Sequence, residues 1–171
     1  MIQVYYGDGK GKTTASLGLV LRAKGFGSKV AIIFFDKGGD NYNERKILED
    51  LGIDYFSFGR DRRSSDGRFD FSLESEDLDM AQQSMAKLLD IQHNYDLIVL
   101  DEVLNAVRLK MLPLVDLLDY LDNSLPQDLE LILTGRGLWP EIEARADLIT
   151  EMRMVKHYFE QKVPARAGIE F

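Results

Sequence analysis

Eight consecutive residues near the start of the chain, Gly7, Asp8, Gly9, Lys10, Gly11, Lys12, Thr13 and Thr14, have the types and spacing to bind a phosphate chain. Alternating glycines let the backbone turn tightly and aim its N–H groups at one point, and a helix starting just behind adds unpaired N–H donors and positive dipole there. Lys12 adds a point charge, and the hydroxyl of Thr13 or Thr14 stands where it would ligate a magnesium ion held by the phosphates of ATP. Such a loop needs a strand before it and a helix after it. Residues 2–6, IQVYY, read as that strand and residues 15–23 as that helix. The loop departs from the common form in being one residue short: only Asp8, Gly9 and Lys10 separate Gly7 from Gly11, and Tyr6 stands where the first glycine is usual. A glycine-rich turn that binds nothing is the competing reading, and the Lys, the spacing and the flanking pattern oppose it.

A second set of chemistry-bearing residues closes the apolar run LIVL at Asp101 and Glu102. A strand ending in carboxylates beside a phosphate loop can supply the same metal, so Asp101 or Glu102, directly or through water, joins Thr13 or Thr14 as a candidate ligand, and the other acid can orient a nucleophile or partner. Either acid alone also reads as part of a solvated loop. Thr134, Gly135, Arg136 and Gly137 follow another apolar run, where Arg136 could pair with a phosphate or a carboxylate. A plain turn with an exposed Arg competes with that reading. Asp36 ends a strand with functional and bland readings evenly balanced. His93 reads as a helix-end residue and His157 as a packing residue, and neither has the spacing of a metal site or a Ser-His-Asp triad.

Apolar runs alternating with helical patterns must position these groups. Strands are expected at residues 29–35, 53–58, 95–100, 129–133 and 148–152, and helices at 44–51, 75–93, 113–121 and 140–146. In the helix over 75–93 the apolar positions are Leu78, Ala81, Met85, Leu88 and Leu89. The alternation predicts an α/β fold with a mostly parallel sheet and helices on both faces. Ligands of such sheets gather at the carboxyl ends of the strands, where every segment named above falls. Residues 59–71, GRDRRSSDGRFDF, lack periodicity and read as a loop that is mobile or ordered on binding.

With 171 residues the chain is long enough for one domain with a sizeable core, and a single domain over residues 1–171 is expected. Its net charge of −8 argues against broad binding to nucleic acid or anionic membranes. The basic cluster of Arg60, Arg62, Arg63 and Arg68 is a local exception. No apolar run approaches the roughly 20 residues of a membrane span. The first strand begins at the second residue, no signal peptide is apparent, and there is no cysteine, so a cytoplasmic location is expected.

The loop GDGKGKTTASLGLVLRAKGFG, the strand ending LDE, the TGRG segment, ADLITEMRMVKHYF and the terminal GIEF together resemble the ATP:corrinoid adenosyltransferases of the bacterial housekeeping type. The resemblance implies a P-loop, RecA-like α/β fold, a homodimer, and transfer of the 5′-deoxyadenosyl group of ATP to the cobalt of a reduced corrinoid. Magnesium takes part and triphosphate is released. It further implies that Gly7 to Thr14 hold the triphosphate of an ATP lying in reverse, that Lys12 and Glu102 serve catalysis, and that Thr13 and Glu102 hold the metal with Asp101 close by. Two segments differ from the pattern: the relatives' extension before the first strand has no counterpart, and GRDRRSS at residues 59–65 replaces an aromatic GFTW-like segment. Phe69 and Phe71 are candidates to substitute for those aromatics. A nucleotide-binding switch or ATPase module without corrinoid activity is the alternative function.

Overall fold

A computed structural model describes residues 1–39, 42–62, 72–161 and 163–170. In chain order its elements are β1 (Ile2–Tyr6), α1 (Lys12–Phe26), β2 (Val30–Phe34), α2 (Glu44–Asp50), β3 (Asp54–Ser57), α3 (Ser75–Ile91), β4 (Leu97–Asp101), α4 (Val103–Arg108), α5 (Leu114–Asp119), β5 (Glu130–Gly135), α6 (Pro140–Glu143) and β6 (Leu148–Glu151). The strands form one sheet in the order β3-β2-β4-β5-β1-β6, and every pairing is parallel.

The near-continuous apolar runs of β2 and β4 suit strands covered on both faces, and both are buried along their whole length. Successive side chains of β2 point to opposite faces. Ala31, Ile33 and Phe35 join Ala81, Met85 and Leu88 of α3 and Leu104 and Val107 of α4, whereas Val30, Ile32 and Phe34 join Val20 of α1 and Leu48 of α2. Two apolar layers thus sandwich the sheet. Burying a Leu or Ile side chain is worth about 1.5–3 kcal/mol, so these layers are the main source of stability.

Helix α1 begins at Lys12, three residues before the position expected from sequence, because Gly11 adopts a left-handed φ of 118° and turns the chain straight into the helix. It presents Lys12, Ser16 and Val20, spaced by four, to the sheet. Gly25 does not end it, since one helical glycine costs only about 1 kcal/mol relative to Ala. The stop comes at Gly27, left-handed at φ 104°, whose N–H bonds Lys24 O at 2.9 Å.

Other departures from the expected elements also have local causes. Helix α3 starts with a reciprocal pair in which the Glu74 and Asp77 side chains each accept a backbone N–H of the other residue. It buries Ala81, Met85 and Leu88, but Leu78 and Leu89 of the expected stripe are exposed. The helix gives way to a 3-10 turn over Gln92–Asn94, which leaves His93 at the helix end as expected. Helix α4 was not expected at all; it buries Val103, Leu104, Ala106 and Val107, but so short an element does not repeat the pattern often enough to be read as a period. Helix α5 stops at Asp119 and passes into a wider π turn, where Leu125 N–H bonds Tyr120 O at 3.0 Å. Strand β5 runs to Gly135, two residues beyond its expected end, so Thr134 lies inside the sheet with Tyr5 of β1 as its neighbour in register.

Candidate functional site

The phosphate loop joins β1 to α1 at the carboxyl edge of the sheet. Its shape is set by contact with the segment leaving β6: Gly9 N–H bonds Met152 O at 2.6 Å. A Cβ at Gly9 would lie 2.6 Å from that same carbonyl oxygen, so only glycine allows the approach. Lys12 is buried, and its ammonium donates to Gly7 O and Gly9 O, each at 2.7 Å. Burial pushes its pKa down, although Glu102, Asp8 and Asp101 pull the other way. An anion seated in the loop would oppose that depression. Asp8 and Thr14 are exposed at the mouth. Lys10 points away from the loop centre, donating to Ile169 O at 2.9 Å and Glu170 Oε1 at 2.8 Å in the chain's last residues.

Opposite the loop stands the end of β4. Asp101 is fully buried; its Oδ1 accepts from Thr13 Oγ1 at 3.0 Å and from Thr134 Oγ1 at 2.8 Å. Its Oδ2 is also buried and accepts no aligned hydrogen bond, but lies 2.6 Å from the ammonium of Lys37. Lys37 donates in turn to Thr13 Oγ1 at 3.1 Å. Burial alone would lower its pKa, but the negative charges of Asp101 and Glu102 and the close contact with Asp101 hold it above the ordinary value. Glu102 has a left-handed backbone, φ 64°, that few side-chain-bearing residues adopt, and it caps α4. Its N–H donates to Thr134 Oγ1 at 2.9 Å and its carboxylate accepts from Asn105 Nδ2. Burial and the neighbouring Asp101 charge hold its pKa above the usual carboxylate range.

The structure thus brings Thr13 against Asp101, with Glu102 beside them and Lys12 within the same cleft. That cleft, about 960 Å³, is also lined by Thr14, Arg136, Arg108, His157 and Ile169. Arg136 is exposed in it, fixed through its backbone N–H to Asn105 Oδ1 at 2.8 Å. Sequence reasoning missed Lys37, Asn105 and the bridging role of Thr134. Lys37, three residues beyond β2 at the carboxyl edge of the sheet, was readable as to place but not as to partner, whereas Asn105 sits on a helix too short to show a period.

The whole chain, residues 1–171, matches the family model of the ATP:corrinoid adenosyltransferases BtuR/CobO/CobP. The chain belongs to that family. It is 34% identical to the corrinoid adenosyltransferase of Escherichia coli K12 and to corrinoid adenosyltransferase CobA of Salmonella typhimurium LT2, covering all of this chain and 85% of each relative. A corrinoid adenosyltransferase of Pseudomonas aeruginosa is 31% identical, with all of this chain and 83% of the relative covered. Among solved structures, the cytoplasmic domain of EssC superposes with a TM-score of 0.56 at 16% identity, over 96% of this chain and 33% of the other. ATPases 2 and 3 of EssC from Geobacillus thermodenitrificans give 0.53 at 14% identity, over 98% of this chain and 34% of the other. Those two likenesses show the P-loop α/β fold alone.

The loop that differs from the family's aromatic pattern is described only as far as Arg62. Arg63, Arg68, Phe69 and Phe71 lie outside the described residues, and so does the expectation that those aromatics substitute. The described part is pinned to the body. Arg60 Nε and Nη2 donate to the two oxygens of Asp77 at 2.9 and 3.0 Å, and Arg62 Nη2 donates to Asp77 Oδ1 at 2.9 Å. Arg62 Nε donates to Asp36 Oδ1 at 2.6 Å, so the balance at Asp36 tips toward a structural ion pair. Arg62 is buried, so the described start of the stretch read as mobile or ordered on binding, residues 59–62, is held against the body. Burial would raise the pKa of Asp77, but Arg60 and the Glu74 N–H pull it below the usual range; Asp36, where burial dominates, stays above it.

Proposed function

We propose that this protein transfers the 5′-deoxyadenosyl group of ATP to the cobalt of a reduced corrinoid and releases triphosphate. The observation that carries the reading is a cleft shared by the phosphate loop and Glu102, with the buried Asp101 bonded to Thr13 directly beneath it, in a chain matched along its whole length by the family. Cobalt(I) is itself the nucleophile at the ribose C5′, so no side chain need attack, in keeping with a cleft built from cations, amides and carboxylates. The bond from C5′ to the triphosphate oxygen breaks as the cobalt–carbon bond forms, and negative charge grows on the leaving oxygen. The N–H groups of Gly7 to Thr14, the Lys12 ammonium and Arg136 would hold that charge. Asp8, Lys10 and Thr14 belong to the same loop, Lys10 by its backbone while its ammonium clasps the carboxyl-terminal segment.

The donors near Thr13 fit a magnesium ion. They are hard oxygens, and Asp101 Oδ2 is a buried oxygen with no aligned donor. Thr13, Asp101 and Glu102 would hold the ion, directly or through water. Bound there with the nucleotide, magnesium would neutralise charge on the triphosphate. Among the described residues no group of three or more His, Cys, Asp or Glu is arranged to hold a metal, and phosphate oxygens and water would complete its shell.

We further propose a homodimer and a cytoplasmic setting, with the whole chain acting as one domain. The exposed Leu148 and Ile149 on edge strand β6 support the first, and the described helices include none long and apolar enough to cross a membrane. An anaerobic reaction with ATP, Mg2+ and chemically reduced cob(I)alamin tests the function, with corrinoid spectrum and phosphate products followed together. Alkylated cobalt with one triphosphate per turnover is expected; ATP binding on folded protein without alkylation would overturn it.

A further inference from the structure

Three groups at the end of β4 form a closed ring of contacts. Asp101 Oδ1 accepts from Thr13 Oγ1 at 3.0 Å, Thr13 Oγ1 accepts from Lys37 Nζ at 3.1 Å, and Lys37 Nζ lies 2.6 Å from Asp101 Oδ2. The Thr13 hydroxyl has therefore committed its proton to the aspartate and a lone pair to the ammonium. The only oxygen of Asp101 outside the two hydroxyl bonds faces the same ammonium.

The position is built for a cation. The Asp101 side chain has no exposure and that of Lys37 only 14%. Lys37 Nζ also lies 5.3 Å from the Phe34 ring centre and 5.7 Å from that of Tyr42, both within the range at which ring faces attract positive charge. Half-buried Glu102 adds a second negative charge close by, so the buried Asp101 carboxylate is costly to hold without a counter-cation. A magnesium ion held by Thr13 and Asp101 would need oxygen distances of about 2.0–2.1 Å, hence the very lone pairs that the ammonium engages.

We infer that Lys37 is a positioning residue, the resident counter-cation of Asp101 and Glu102, and that it competes with the divalent ion for the oxygens of Thr13 and Asp101. The metal therefore loads together with the triphosphate, whose negative charge gives the displaced ammonium a new partner within reach of its long side chain, and not ahead of it. This rests on the reading of Thr13, Asp101 and Glu102 as the metal's ligands.

The test uses Mn2+ as a spin probe and the full chain without nucleotide. Wild type and Lys37→Arg should show weak Mn2+ binding, and Lys37→Gln should bind at least roughly tenfold tighter, because a buried positive charge next to the ion's seat is gone. Equal affinity in Lys37→Gln and wild type would overturn the competition. If Lys37→Gln does not fold, the 15N resonance of the wild-type Lys37 ammonium decides. Mg2+ alone should leave it in place and Mg2+ with ATP should shift it, whereas a shift with Mg2+ alone would overturn the proposal. A parallel titration of Mn2+ with ATP against Thr13→Val separates the layers. If that variant binds the complex as wild type does, the metal reading fails and the proposal with it; if binding is lost but Lys37→Gln gains nothing, only the competition fails.

Discussion

Replacing Thr134 by Val removes one hydroxyl and nearly nothing else, yet that hydroxyl joins two residues of the site. It donates to Asp101 Oδ1 at 2.8 Å and accepts the Glu102 N–H at 2.9 Å, and Thr134 itself is fully buried. A hydrogen bond to a carboxylate is worth about 1.5–3 kcal/mol, and a stranded buried N–H costs about 1–3 kcal/mol. Since both losses stem from one oxygen they do not simply add, and about 3 kcal/mol is the expected total. For a chain of this size that corresponds to a fall in Tm of roughly 6–12 °C. Urea unfolding followed by circular dichroism gives the free energy, with Thr134→Ser as the control that keeps the hydroxyl and loses only a methyl group. Metal-dependent ATP affinity should fall in the Val variant as well, because Asp101 loses a donor that fixes its orientation and Glu102 loses the bond that holds its left-handed backbone. If Val is no less stable than Ser, the hydroxyl does not organise the end of β4 and the reasoning is wrong.

Gly9→Ala would push a methyl group to 2.6 Å from the backbone oxygen of Met152, so the loop or the β6 exit must shift; ATP affinity measured by calorimetry should drop by an order of magnitude or more, roughly 1.4 kcal/mol. Arg62→Met leaves Asp36 without its 2.6 Å partner and Asp77 with Arg60 and the Glu74 N–H; urea unfolding should show a loss of about 3 kcal/mol, recovered in part by Arg62→Met combined with Asp36→Asn. Glu102 titrates above the ordinary carboxylate range. Its neutral form favours the folded chain, so its contribution to stability is full below the ordinary carboxylate pKa and is lost as pH rises through the raised value. Metal-dependent ATP binding should follow the opposite slope and weaken on acidification before ordinary carboxylates titrate. A Glu102→Gln variant should flatten both profiles, and unchanged slopes would show that another group is responsible.

Most of the sheet was legible because its central strands are apolar on both faces, a pattern that leaves little choice but a parallel strand covered by helices. The phosphate loop was legible for a different reason: three glycines and a lysine at fixed offsets have few other uses. Helix α4 escaped because it is one short element whose polar positions are only Asn105 and Arg108, too few to mark a period. With it went Asn105, whose side chain joins the Glu102 carboxylate to the Arg136 backbone. Lys37 and Arg62 escaped because their partners, Asp101 and the pair Asp36 and Asp77, are brought to them by strand order and by the start of α3, neither of which local composition encodes. The outward turn of Lys10 has the same origin, since the carboxyl-terminal residues it binds lie about as far along the chain as any can.

Glu102 combines a left-handed backbone with a half-buried carboxylate next to the fully buried one of Asp101. Each feature works against folding, the backbone alone by roughly 1–2 kcal/mol. A selection for heat resistance that ignored turnover would therefore converge on this position, choosing glycine or asparagine to relax the turn and discharge the acid. The most stable variant of this protein and the most active one should differ at residue 102, and a library sorted separately for the two properties would pull that position apart.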